Sequence, residues 1–127
     1  MGQRRLCPHR SCNEDLVQGL EKLCLAEGFE NAFVRGALGS LVDACLDRAD
    51  GQYLSVRGPA VEIVSLAGEV RSTPDGGIVA SLSGVVADPQ GQVYGGRFVA
   101  GCNTVCMTFE VMLEEWLPAA GEALADE

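Results

Sequence analysis

The sequence predicts an α+β domain: a mostly antiparallel sheet of about seven strands with one main helix packed on it. Three observations predict it. Leu16, Leu20, Leu23 and Cys24 recur at three- and four-residue spacing, the mark of one buried helix face. After residue 30, short apolar runs alternate with turn signals at roughly ten-residue spacing, the pattern of an antiparallel sheet. Sixteen glycines against 6% aromatic residues point to tight turns and close backbone packing.

The helix comes first. Asn13 is placed to cap it, because a side-chain oxygen there can accept from a free helix N–H. Glu14 and Asp15 suit the positive end of the helix dipole. Gly28 is the stop, where a left-handed conformation costs nothing. Ala32–Leu38 is the first β-like run, then Gly39-Ser40, then Leu41–Asp47. Asp50-Gly51 marks a turn before Gln52–Val56, and Gly58-Pro59 punctuates again. Val61–Val70 ends at the turn TPDGG, residues 73–77. Ile78–Ala87 ends at DPQG, with proline at a favoured turn position. Val93–Ala100 and Thr104–Leu113 complete seven runs. The acidic, small-residue stretch 117–127 reads as a frayed tail.

The 127 residues suit one domain, and a chain of this length can bury a core without disulfides. Residues 1–127 therefore read as a single domain, with an N-terminal arm over 1–12 and a core over about 13–115. The formal net charge is −9, from 18 acidic against 9 basic residues. Phosphate neutralisation supplies much of the affinity of nucleic-acid binders, so this balance opposes direct DNA binding. The arginines are scattered apart from Arg4, Arg5 and Arg10. The sequence contains no apolar run long enough for a membrane helix, and no secretory signal follows the basic start. The expected compartment is the cytoplasm, where the six cysteines stay reduced. Cys24 and Cys45 read as small core residues.

No chemistry-bearing motif stands out. Cys7-Pro-His9-Arg-Ser-Cys12 lacks the second half of a zinc site. His9 is the only histidine, so a Ser-His or Cys-His pair would have to use the N-terminal arm. P-loop, dinucleotide and nucleophile-elbow signatures are absent. Neither a catalytic constellation nor a cofactor is expected.

Asn13-Glu14-Asp15-Leu16 opens the helix. Arg35-Gly-Ala-Leu-Gly39-Ser40-Leu41 and Glu62-Ile-Val-Ser-Leu-Ala-Gly68 follow, then SLSGVVADPQGQVYGGRFVAGC at 81–102, closing on Thr108-Phe-Glu110-Val111. In this order and spacing these segments resemble the PPC domain family, the domain shared by plants and prokaryotes and also written PCC. The resemblance implies a twisted antiparallel sheet with a packed helix, assembled as a homotrimer with polar sites at the subunit joints. In plants the domain accompanies AT-hook DNA-binding motifs; bacterial members often stand alone and carry a DNA-binding label by analogy. Many bacterial members place a His-x-His before the DP-x-G turn and a Gly-Gly-His after it, which can converge on a divalent metal. Ser81, Ser83 and Arg97 occupy those places here. Serine hydroxyls are poor zinc ligands and a guanidinium is not one at all, so the resemblance implies that the metal site is lost.

An arginine beside two serines suits a carboxylate or phosphate, because its fork can bind two oxygens at once. The alternative is that Arg97 pairs with Glu62, Glu110 or an acid of a neighbouring subunit. Arg35 and Glu62 are further candidates near such a pocket; a buried Arg35 would need a partner. Two readings of function result. One is a regulatory or DNA-associated trimer that presents a surface to a protein or nucleic acid. The other is a small-anion binding site, or a metal-free enzyme site, at the trimer interface around Arg97.

Overall fold

The computed structural model describes residues 13–116 in full and residues 2–9 as backbone. One helix, α1 (Leu16–Glu27), lies against an eight-stranded sheet. The strands are β1 (Gly2–His9), β2 (Asn31–Leu41), β3 (Ala44–Asp47), β4 (Tyr53–Val56), β5 (Val61–Ser72), β6 (Ile78–Ala87), β7 (Val93–Phe98) and β8 (Val105–Trp116). Their spatial order is β1-β8-β2-β5-β6-β7-β3-β4, and every pairing is antiparallel.

The seven strands expected from the sequence are β2 to β8. The eighth, β1, falls in the segment read as an arm. It pairs with β8 from Gly2 opposite Trp116 to His9 opposite Phe109. Cys12 of the Cys-Pro-His motif lies outside the described residues, as does the expected tail at 117–127. No described helix is long and apolar enough to cross a membrane.

The helix cap lies two residues later than the sequence reading. Asp15, not Asn13, is the N-cap: its carboxylate accepts from the Gln18 N–H at 2.9 Å. Asn13 instead takes a left-handed backbone, φ 69°, and donates its N–H to the Val105 carbonyl. Gly28 ends the helix as expected, at φ 76°. Leu16, Val17, Leu20 and Cys24 are buried on one side of α1, against the inner face of the sheet. Cys45 is only half-buried and does not belong to that core.

Gly39-Ser40 is not a break. β2 runs straight through it, with register shifts against β8 on both sides of the Gly36–Gly39 stretch. The glycine serves close approach: a Cβ at Gly39 would lie 2.5 Å from the Thr108 carbonyl oxygen. The two expected hairpin turns do form. Thr73 N–H bonds the Gly77 carbonyl at 2.9 Å, and Asp88 N–H bonds the Gln92 carbonyl at 2.9 Å.

The alternation of each strand separates two faces. Val61, Ile63, Leu66 and Val70 of β5, Leu82 and Val86 of β6, and Phe109, Val111 and Leu113 of β8 point inward and form the core with α1. Among the described residues the opposite face carries no helix. It bears Glu62 and Val64 on β5, Ser81 and Ser83 on β6 and Arg97 on β7, all exposed.

One buried polar group joins three elements. Asn103, wholly buried, accepts from the Cys45 N–H at 2.8 Å and donates to the carbonyls of Cys45 and Val99 at 3.1 and 2.8 Å. Its own N–H donates to Asp15 at 2.8 Å. Alanine at 103 would remove the side-chain acceptor of the Cys45 N–H and the amide donor to two carbonyls, which keep only the Val99 N–H and the Cys102 thiol, at a cost of about 2–4 kcal/mol. Urea unfolding of Asn103→Ala is expected to show that loss, and a loss below about 1 kcal/mol would mean water replaces the amide.

Candidate functional site

The DPQG turn sets the geometry of the site. It closes β6 onto β7 so that Ala87 faces Val93, Val85 faces Gly95 and Ser83 faces Arg97. On the other side of β6, Ser83 faces Ala67 of β5, and on the other side of β7, Arg97 faces Asp47 of β3. Ala67, Ser83, Arg97 and Asp47 thus form one row across four strands, with neighbouring Cβ atoms about 5 Å apart. Ser81 lies on the same face, two residues further along β6 and opposite Glu69.

The row crosses an open groove lined by Asp47, Arg48, Ser65, Ala67, Ser83 and Arg97, with glycines on its floor. The adjacent glycines 95 and 96 have different tasks. Gly95 shares the outer face with Arg97. A Cβ there would meet only ordinary contacts, 3.6 Å from the Gly84 oxygen and 3.7 Å from a Val85 methyl. Nothing in the fold requires its bareness; what the missing side chain does is keep the floor beside Arg97 clear. Gly96 faces the other way, where a Cβ would lie 3.1 Å from both the Asp47 carbonyl oxygen and the Leu46 Cβ. Gly96 lets β3 close on β7.

Arg97 forms no ion pair among the described residues. The pairings with Glu62 or Glu110 weighed from the sequence are therefore not made within the chain. Arg48, the other cation of the groove, is engaged by Asp50 at 2.9 Å. The exposed guanidinium of Arg97, a serine hydroxyl opposite it and an open floor together can receive an anion with two oxygens.

The other two predicted site residues stand apart. Arg35 is exposed on β2 and pairs with Glu114 of β8, Nε to Oε1 at 3.2 Å. Two strands, β5 and β6, separate it from β7, so it is on the order of 14 Å from Arg97. Glu62 faces Ala87 and Ser40. It lies five residues along β5 from Ala67, on the order of 16 Å from the row. Within one chain the structure brings together Arg97, Ser83 and Ser81, and leaves out Arg35 and Glu62.

Sequence reasoning missed Asp47, and read Gly95 with Gly96 as a pair that allows a bulge or close backbone approach, which holds for Gly96 alone. Asp47 ended a run read as a strand, and the register that sets it beside Arg97 comes from a non-local pairing. On the inner face of the same hairpin, Tyr94 donates its hydroxyl to Gln92 at 2.8 Å, with an Asp88 oxygen 3.3 Å from the same hydroxyl. Its phenol is pushed up, first by desolvation and then by the Asp88 charge.

The Plants and Prokaryotes Conserved (PCC) domain model matches residues 11–117. The bifunctional protein GlmU of Synechococcus sp. strain JA-2-3B'a(2-13) is 35% identical over 102 residues, 80% of this chain. The chain spans only 15% of that relative's length. A hypothetical protein from Salmonella has the same fold, with a TM-score of 0.74 and 26% identity, over 91% of this chain and 80% of the other. So does a protein from Bacteroides thetaiotaomicron provisionally assigned to DNA binding, with a TM-score of 0.74 and 15% identity, over 93% and 82%. The outer-face row, the helix packed behind it and the family match agree: the chain belongs to the PCC domain family.

Proposed function

We propose that the chain is a homotrimeric regulatory module of the PCC family that binds a small carboxylate, or an anion of similar shape, in the groove at Arg97. The observation that carries this is the guanidinium of Arg97, without an ion pair among the described residues, opposite Ser83 and over a floor left clear by Gly95. A fixed planar cation here does what a metal would do at the same place, and it needs no metal ligands. Ser81 and Ser83 supply hydroxyls that can donate to the remaining oxygens. No side chain in the groove forms a nucleophile–base pair, so binding rather than turnover is the role assigned.

Assembly is supported by apolar surface on the same outer face. Leu38 and Val64 are 62% and 58% exposed, and each lies two residues from the Ser40–Glu62 pair that joins their strands. In a trimer this patch would be covered and the groove would lie at a subunit joint. Arg35 and Glu62 could then approach the ligand from a neighbouring copy.

Native mass spectrometry of the purified protein is expected to show a trimer. Adding succinate should raise its melting temperature, and Arg97→Ala should abolish that shift while leaving the trimer intact. Gly95→Val should fill the groove with the same loss, since the added side chain finds room at that position. Unchanged stabilisation by succinate, citrate and phosphate in Arg97→Ala would overturn the site.

A DNA-associated role is the second reading, favoured by the assignment of the Bacteroides protein. With a net charge of −9, such binding would have to rest on Arg4, Arg5 and Arg10. Binding to a short duplex is then expected only at low salt, and to vanish by about 0.2 M. Binding that persists above that concentration would displace the small-anion reading.

A further inference from the structure

Among the described residues the cysteines are Cys24, buried, Cys45 and Cys106, half-buried, and Cys102, exposed. Two of them meet. Cys45 sits on β3 and Cys102 in the turn between β7 and β8. The Val99 N–H donates to the Cys45 carbonyl at 3.1 Å, and the Cys102 thiol donates back to the Val99 carbonyl at 3.6 Å. Asn103, the next residue after Cys102, grips both backbone groups of Cys45, at 2.8 and 3.1 Å. These bonds through Val99 and Asn103 make the two cysteines neighbours.

We propose that Cys45 and Cys102 are a redox-sensitive thiol pair that closes to a disulfide at the edge of the Arg97 groove. The exposed Cys102 reacts first. Its thiolate attacks a low-molecular-weight disulfide such as oxidised glutathione, forming a mixed disulfide and releasing one glutathione thiolate. The Cys45 thiolate then attacks the Cys102 sulfur, the protein disulfide forms, and the second glutathione leaves. Two protein thiols are oxidised and one glutathione disulfide is reduced to two thiols.

Position gives the bond a consequence. Cys45 is two residues before Asp47 and Val99 two residues after Arg97, and Asp47 and Arg97 are partners in the row. A disulfide would fasten β3 to the turn that follows β7. It would also close a loop of more than fifty residues and so limit the unfolded chain. The inference does not depend on which anion, if any, the groove takes.

The surroundings of Cys102 set the rate. Burial first, then the Cys45 thiol, then the Asp15 carboxylate at the start of α1 push its thiol up to about 11. Little thiolate exists near neutrality, so exchange is expected to be slow at pH 7 and to quicken about tenfold per pH unit up to pH 9.

The test treats the full chain with oxidised glutathione at pH 8.5 and maps its peptides without reduction. The expected result is one linked pair carrying Cys45 and Cys102, two fewer free thiols, and a melting temperature raised by more than about 5 °C. Cys45→Ser should instead keep glutathione on Cys102. A lasting glutathione adduct on Cys102 in the unaltered chain, or a different cysteine pairing, would overturn the proposal. So would a rate of thiol loss at Cys102 that does not change with pH. The mapping of the unaltered chain decides even where a variant folds poorly.

Discussion

The hydrogen bonds of Asn103 fix the relation between the helix, the short strands and the edge of the sheet. One buried amide holds the Cys45 backbone on both sides, while its own N–H is held by the Asp15 carboxylate that also caps α1. Buried polar groups without partners are costly, so this set forms together or not at all. Its effect reaches the outer face through β3. Holding Cys45 sets Asp47, and Asp47 faces Arg97. A helix cap and a candidate binding residue are thus linked through a single side chain.

The sheet itself divides labour between its faces. The inner face contributes hydrophobic burial, the dominant favourable term in folding, and leaves little freedom for change. The outer face carries exposed small and polar residues in β5, β6 and β7, where substitution costs little stability. That is where serines stand at 81 and 83 and an arginine at 97. Glycine 96 belongs to the scaffold, because β3 packs where its side chain would be. Glycine 95 lines the groove, and a side chain there would meet only ordinary contacts.

Much of this was legible in the chain because the signals were local. Gly28 stops the helix where it should, and TPDGG and DPQG turn where they should, since each is decided by a few neighbouring residues. The DPQG turn carries further: it sets the register of β6 on β7 and with it Ser83 opposite Arg97, two residues that the resemblance to the PPC family had already put at one place. What was missed depends on distant partners. β1 is a strand because β8 offers it an edge. Gly39-Ser40 looks like punctuation, yet its glycine answers the close approach of Thr108 a long way down the chain. Asn13 and Asp15 are both good caps by type; the bond from the Asn103 N–H selects Asp15. Arg35 pairs with Glu114 for the same non-local reason, and Asp47 entered the row only through the pairing of β3 with β7.

The most direct test of the Arg97 groove is a nitrogen-15 NMR titration of the protein with succinate, following backbone amides and the arginine Nε–H groups together. Saturable shifts at Ser83, Gly95, Gly96 and Arg97, with Arg57 and Arg71 unmoved, are the predicted result. Small, unsaturated shifts spread over all the arginines would contradict it. They would mean that the guanidinium opposite Ser83 is an ordinary surface charge.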